Sequence, residues 1–107
     1  MDFMMEVLGD LEVNSRIIPV ARNEFKTEQS FPFVIYYSDG SINFFADGSV
    51  FHSRDKYVVE VYTEKKEGDL EDAIEERLNQ HELSWEKTSD MFIESESMYM
   101  VAYYVES

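Results

Sequence analysis

The chain has 107 residues, of which 23 are acidic and 9 basic, and its formal net charge is −14. This charge repels nucleic-acid phosphates and anionic lipids, so we expect neither direct sequence-specific nucleic-acid binding nor a membrane partner. A hydrophobic fraction of 44% and an aromatic fraction of 15% exclude a disordered acidic chain, and the absence of cysteine excludes disulfides and thiolate chemistry, which leaves one folded domain over residues 1–107.

The first third of the chain predicts a short helix and a weak strand. Apolar residues recur at helical spacing from Phe3 onward, with Asp2 as a candidate N-cap, so we expect a helix over residues 2–12, weakened by Gly9. Residues 17–25 are extended in character but contain Pro19, which is typical of an edge strand. A loop is expected at 26–32.

The centre of the chain predicts long strands separated by glycine turns. Residues 33–37 are strand formers throughout and favour a central strand, which we expect to end at the turn 38–40, where glycine supplies a positive φ. A short apolar piece at 43–46 is expected to close at a second turn, 47–48. A long strand then follows over residues 50–63.

A helix is predicted at residues 69–81, with Asp69 at the N-cap position and one narrow apolar stripe for packing on a sheet. Acidic residues occupy its exposed side or lie next to it: Glu67, Asp69, Glu71, Asp72, Glu75 and Glu76. The composition leaves three interpretations of these residues open: an ordinary solvated surface, the lining of a DNA channel, and a mimic of phosphates.

The last third contains Trp85 and two apolar segments, and it predicts two more strands. Residues 91–93 and 98–105, joined by the polar link 94–97, are expected to form a terminal hairpin. The whole pattern predicts an α+β fold, an antiparallel sheet of about four to five strands with the N-terminal helix and the 69–81 helix packed mainly on one side.

Both faces of the predicted sheet are apolar or aromatic, and helices on one side cannot cover both. The second face is therefore expected to contact another subunit. The residues predicted for this interface are Phe44, Phe45, Tyr57, Tyr62, Tyr99 and Tyr103.

Catalytic and metal-binding patterns are missing from the sequence. His52 and His81 stand alone, and no nucleophile elbow or phosphate-binding glycine loop occurs. We therefore expect no enzyme activity, no catalytic residues, no metal and no cofactor.

Four segments carry a family resemblance: PFVIYY at 32–37, NFFAD at 43–47, YVVEVYT at 57–63 followed by a lysine pair at 65–66, and FIESESMY at 92–99. In this order they resemble the small tail completion proteins, also called tail terminator or head-tail joining proteins, of long-tailed phages and prophages of Gram-positive bacteria.

The resemblance implies a structural α/β subunit without a cofactor. Such a subunit assembles with itself as a ring, expected to be a hexamer, at the head-proximal end of the tail in the virion, after synthesis in the host cytoplasm. Its partners would be the tail tube protein and the head-tail connector protein. The alternative reading of the acidity is a DNA mimic or inhibitor module that binds a basic host protein.

Overall fold

The computed structural model describes residues 2–46 and 49–107, with the backbone alone at 41–46 and 49–54. Within this part of the chain the fold is α+β, as predicted. The helices are α1 (Phe3–Leu8) and α2 (Gly68–Gln80), and a 3-10 turn spans Glu94–Glu96. The strands are β1 (Glu12–Val13), β2 (Arg16–Ile17), β3 (Val20–Arg22), β4 (Phe33–Ala46), β5 (Ser49–Thr63), β6 (Ser84–Lys87), β7 (Met91–Ile93) and β8 (Met98–Glu106).

The main sheet has six strands among the described residues, in the order β3-β4-β5-β8-β6, with β7 pairing beside β8. Strands β1 and β2 form a separate hairpin. The sheet has more strands than the predicted four to five, because β6 is only four residues long and too brief to give a periodic signal. All its pairs are antiparallel except β3 with β4. The edge strand predicted around Pro19 is confirmed in β3.

Helix α1 is capped as predicted but ends earlier. The Asp2 carboxylate accepts a hydrogen bond from the Met4 backbone N–H at 3.1 Å. The helix ends at Leu8, not at residue 12, because Gly9 is extended, with φ −62° and ψ 152°. Its N–H still donates the last helical hydrogen bond to the Met5 carbonyl, at 2.7 Å. A side chain at position 9 would collide with the Met5 backbone, which accounts for glycine there.

The turn predicted at Ser38–Gly40 is wrong, because β4 runs on through it. Gly40 does have a positive φ of 90°, as predicted. The pairing register with β5 shifts between Ser38 and Ser41, which marks a β-bulge that bends the strand without ending it. The turn predicted at 47–48 lies outside the described residues.

Beyond the bulge, β4 and β5 pair with each other as a ribbon. Their pairs run from Ser41 with Asp55 to Ala46 with Ser49. We call residues 41–46 and 49–55 the arm. At about 3.3 Å per residue the arm projects roughly 20 Å from the sheet, in keeping with molecular extents of 51 × 29 × 26 Å.

Both helices pack on one face of the main sheet, as predicted. The core joins residues of α1 and α2 to alternate residues of the three central strands: Met4, Val7, Leu8, Leu70, Ile74 and Leu78 with Val34, Tyr36, Val59, Val61, Val101, Tyr103 and Val105. Helix α2 begins one residue before the predicted start. Asp69 is therefore inside its first turn, and Glu67 at the N-cap makes no side-chain capping bond.

The predicted C-terminal hairpin is confirmed in β7 and β8, whose residues pair from Ile93 with Met98 to Met91 with Met100. The link closes because Ser97 adopts the left-handed conformation, with φ 48° and ψ 48°.

Among the described residues, the helices are too short and too polar to cross a membrane.

Candidate subunit interface

The two faces of the main sheet are covered unequally. Side chains alternate along a strand, so the residues between the core positions of β4, β5 and β8 point away from the helices. The strand register arranges them in three rows across the sheet: Phe33–Tyr62–Met100, Ile35–Glu60–Ala102 and Tyr37–Val58–Tyr104. We call these nine residues the open face, because neither helix packs on it.

The open face is apolar and partly accessible to solvent. Tyr104 is 49% exposed, and Met91, which pairs with Met100 at the rim, is 55% exposed. Val58 and Ala102 are nearly buried, whereas the remaining members are half-buried. A contiguous surface of aromatic, methionine and aliphatic side chains is typical of a protein interaction site, in contrast to single exposed apolar residues.

Glu60 is the charged side chain at the centre of the open face. Its Oε1 accepts from the Tyr62 hydroxyl at 2.7 Å and its Oε2 from the Tyr37 hydroxyl at 3.1 Å. Burial, and then hydrogen bonding to the carboxylate, raise the pKa of both tyrosines. The hydroxyls therefore stay protonated at neutral pH and satisfy the carboxylate, which lowers the cost of covering this face.

One corner of the open face is closed by aromatic stacking from the loop before β4. Phe25 and Phe31 meet the Phe33 ring with centroids 5.7 and 5.5 Å away, and Phe33 stacks on Tyr62 at 5.0 Å. The opposite corner carries Tyr104 and stays accessible. A cleft of about 440 Å³ lies beside Tyr104, where the arm leaves the sheet.

The residues predicted for the subunit interface fall in different places. Tyr62 lies on the open face. Tyr57 packs beside Phe3 of α1, with ring centroids 6.4 Å apart, and so belongs to the helix-covered face. Tyr99 alternates with the open-face residues of β8 and points to that same covered side, where its ring contacts Phe92 at 4.9 Å.

Tyr103 is a correction to the predicted interface, because its side chain is 0% exposed and belongs to the core. It pairs with Val59 under α2, so it cannot reach another subunit without unfolding. The side chains of Phe44 and Phe45 lie outside the described residues, and their assignment to the interface stays a prediction.

The predicted acidic face of α2 is largely engaged within the chain. Glu67 pairs with Arg16 at 2.5 Å, and Asp69 accepts from the Asn14 amide at 3.2 Å. Asp72 and Glu76 are exposed.

Glu71 is the clearest correction among these acidic residues, since it was expected in solvent and is only 5% exposed. Its carboxylate lies 2.5 Å from the Lys87 Nζ and 3.5 Å from the Lys66 Nζ. The lysines come from β6 and from the loop before α2, so their approach is a tertiary effect that the helix pattern does not contain.

Glu75 extends this cluster into the core. It lies 3.1 Å from the Lys87 Nζ and accepts from the buried Tyr103 hydroxyl at 2.7 Å. Burial, and then the bond to Glu75, raise the pKa of Tyr103. The cluster ties α2 to the end of β6 and to β8, so we interpret it as part of the scaffold that holds α2 on the sheet.

Only Tyr62 of the nine open-face residues was predicted from the sequence. The eight others were not selected: Phe33, Ile35, Tyr37, Val58, Glu60, Met100, Ala102 and Tyr104. Period-two alternation in β8 separates Tyr104 and Met100 from Tyr103, and this signal is present in the sequence. It does not say which set the helices cover, because both sets are apolar.

Among the described residues, no group of three or more His, Asp or Glu side chains is arranged to hold a metal ion. No protein-family model matches this chain, and no curated protein is significantly similar to it.

Proposed function

We propose that this chain is a structural tail completion protein, which assembles with itself as a ring at the head-proximal end of a phage tail. In the virion it would cap the tail tube and join it to the head-tail connector. The observation that carries the proposal is the open face, a contiguous apolar surface without helical cover. A ring subunit needs such a surface to bury against its neighbour.

The composition of the open face supports a protein partner. Tyrosine, phenylalanine and methionine are enriched at interface centres, and charged residues are depleted there. Eight of the nine residues of this face are uncharged, and the carboxylate of Glu60 already accepts two hydroxyl donors. A partner can therefore cover the face without leaving that carboxylate unpaired.

The net charge of −14 fits a ring through which DNA passes. Asp69, Asp72 and Glu76 are the exposed acidic residues of α2, and if this helix faces the lumen, they would repel phosphates and prevent adhesion. A structure of the ring with α2 on its outer surface would contradict this placement of α2 but not the proposal that the chain forms a ring.

The acidic DNA-mimic reading has weaker support. A mimic needs free carboxylates spaced like phosphates, whereas Glu67, Glu71 and Glu75 are paired with cations of the same chain. A mimic would bind a basic protein through its acidic surface and would not need the open face.

Tail tube growth tests the proposal. The proposal requires a tail tube protein in the same genome; that protein is polymerised with and without this chain, and tube lengths are measured by electron microscopy. We expect the wild type to stop growth and give short tubes capped at one end. Tyr104→Glu on the open face should abolish capping. Ile17→Glu is the matched control, because Ile17 is 74% exposed and lies outside the open face. Unchanged tube lengths with the wild-type chain would refute the function.

A further inference from the structure

A closed ring requires two different surfaces on each subunit, because the first surface of one copy must bind the second surface of the next. Two open faces in contact would form a symmetric pair, which stops at a dimer. We propose that the arm is the second surface and that it docks on the open face of the next copy of this chain. This inference rests on the proposed ring and specifies how it closes.

The arm offers free backbone edges. Within the described residues, β3 pairs with β4 only at Val34–Tyr36, and β8 pairs with β5 only from Lys56 onward. The strands of the arm at 41–46 and 49–54 therefore have a strand neighbour on one side only. A two-stranded hairpin is marginally stable alone, and its open edges pair readily with another chain.

The low charge of the arm favours the arm of a second copy of this chain as the partner that binds the open face. Residues 41–55 contain two acidic residues, Asp47 and Asp55, and one basic residue, Arg54, so this segment has a formal charge of only −1 in a chain of −14. Copies of such a chain repel one another, and the repulsion is smallest where a segment of low net charge meets a surface with one charge, the Glu60 carboxylate, which already accepts two hydrogen bonds. The arm sequence is also apolar at Ile42, Phe44, Phe45, Ala46, Val50 and Phe51, which complements the aromatic open face.

The arm cannot serve its own open face. It continues β4 and β5 outward as a ribbon, with register shifts between Ser38 and Ser41 and between Phe44 and Phe45. The molecule extends 51 Å in its longest direction, so the ribbon leads away from the surface formed by the same strands. A contact between arm and open face is therefore intermolecular and head-to-tail, and repetition of it closes a ring when the rotation per subunit divides a full turn.

A mixing experiment separates this contact from other modes of association. In the arm-less variant, Asn-Gly replaces residues 44–52 and closes the hairpin across the Asn43–Ser53 pair. It keeps the open face. Tyr104→Glu keeps the arm and loses the open face. We expect each variant alone to be monomeric by light scattering, and an equimolar mixture to form a one-to-one heterodimer.

The outcomes distinguish a failure of the proposed ring from a failure of the proposed contact between arm and open face. If the wild type is monomeric at every concentration, the ring and with it the docked arm are refuted. If the wild type associates and the arm-less variant associates equally well, the ring stands and the arm is refuted. A mixture that stays monomeric also refutes the head-to-tail contact.

Cysteine cross-linking keeps the test valid if the arm-less variant fails to fold. The chain has no cysteine, so Phe45→Cys and Tyr104→Cys each introduce a single thiol. Mixing the two variants under oxidising conditions should give mainly the arm-to-face heterodimer, at least about tenfold above a mixture of Phe45→Cys with Ile17→Cys. Equal yields in both mixtures would overturn the proposal.

Discussion

Lys87 and Glu71 form a half-buried ion pair, and we expect mutation of each partner to lower the free energy of unfolding by a different amount. The Glu71 side chain is 7% exposed and that of Lys87 is 32% exposed, with 2.5 Å between Oε1 and Nζ. Lys87→Met removes the ammonium group and keeps the length of the side chain. It leaves a buried carboxylate with Lys66 alone, whose Nζ is 3.5 Å away on a side chain that is 58% exposed.

The expected magnitude lies between two limits. Removing one partner of a fully buried pair costs about 3–5 kcal/mol, and an exposed pair contributes at most about 1 kcal/mol. For this half-buried pair we expect Lys87→Met to lower the free energy of unfolding by about 2–3 kcal/mol. Glu71→Gln should cost only about 1 kcal/mol, because Lys87 is solvated and keeps Glu75 at 3.1 Å.

Urea unfolding followed by Trp85 fluorescence measures both changes, because this ring lies 5.6 Å from the Tyr103 ring beside the cluster. The double variant should cost less than the sum of the single variants by about 1–2 kcal/mol. A larger loss for Glu71→Gln than for Lys87→Met, or full additivity, would refute our assignment of Glu71 as the buried partner.

The pH dependence has a defined sign. Hydrogen bonding to Glu71 raises the pKa of Lys87 against the opposing effect of burial. The contribution of Lys87 is therefore complete at neutral pH and is lost as pH rises through the raised pKa. Lys87→Met should flatten this alkaline decline, and an unchanged decline would contradict the pair.

Three further predictions concern the cap of α1, the bulge in β4 and the link between β7 and β8. Asp2→Ala should lower the free energy of unfolding by about 1–2 kcal/mol, because Asp2 caps α1 and accepts from Arg22 and Tyr36. Burial opposes the ionisation of Asp2, but those hydrogen bonds prevail and lower its pKa. The stability advantage of the wild type over Asp2→Ala should therefore disappear as pH falls through the pKa of Asp2. A stability difference that stays constant in acid would contradict this prediction. Gly40→Ala should cost about 1–2 kcal/mol, because φ is 90° there; no change in the thermal midpoint would show that the bulge relaxes. Ser97→Gly should add about 0.5–1 kcal/mol, because Ser97 is left-handed, and chemical denaturation that shows a loss instead would contradict this reading of the link.

The alternation of apolar residues in the strands was enough to predict the fold class and the surplus apolar face. It was not enough to assign the members of that face. Tyr103 and Tyr104 are adjacent and chemically identical, and only the pairing of Tyr103 with Val59 under α2 separates a core residue from an exposed one. That pairing is a tertiary register, which no local pattern contains.

The acidic helix shows the same limit for charged residues. Helical spacing correctly placed Asp72 and Glu76 in solvent. It failed for Glu71, because Lys66 and Lys87 reach it from outside the helix and offset the cost of burying its carboxylate. The bulge at Gly40 misled the sequence reading for a related reason, since a positive φ occurs in turns and bulges alike.

Light scattering of the purified chain tests the central claim most directly, because the open face is proposed as the contact between copies. One copy has a mass of 12.6 kDa, so six copies give about 76 kDa. We predict a closed ring of this order for the wild type and for Ile17→Glu, and a monomer for Tyr104→Glu. A wild-type chain that stays at the monomer mass up to millimolar concentration, or a Tyr104→Glu variant that associates as the wild type does, would contradict the claim.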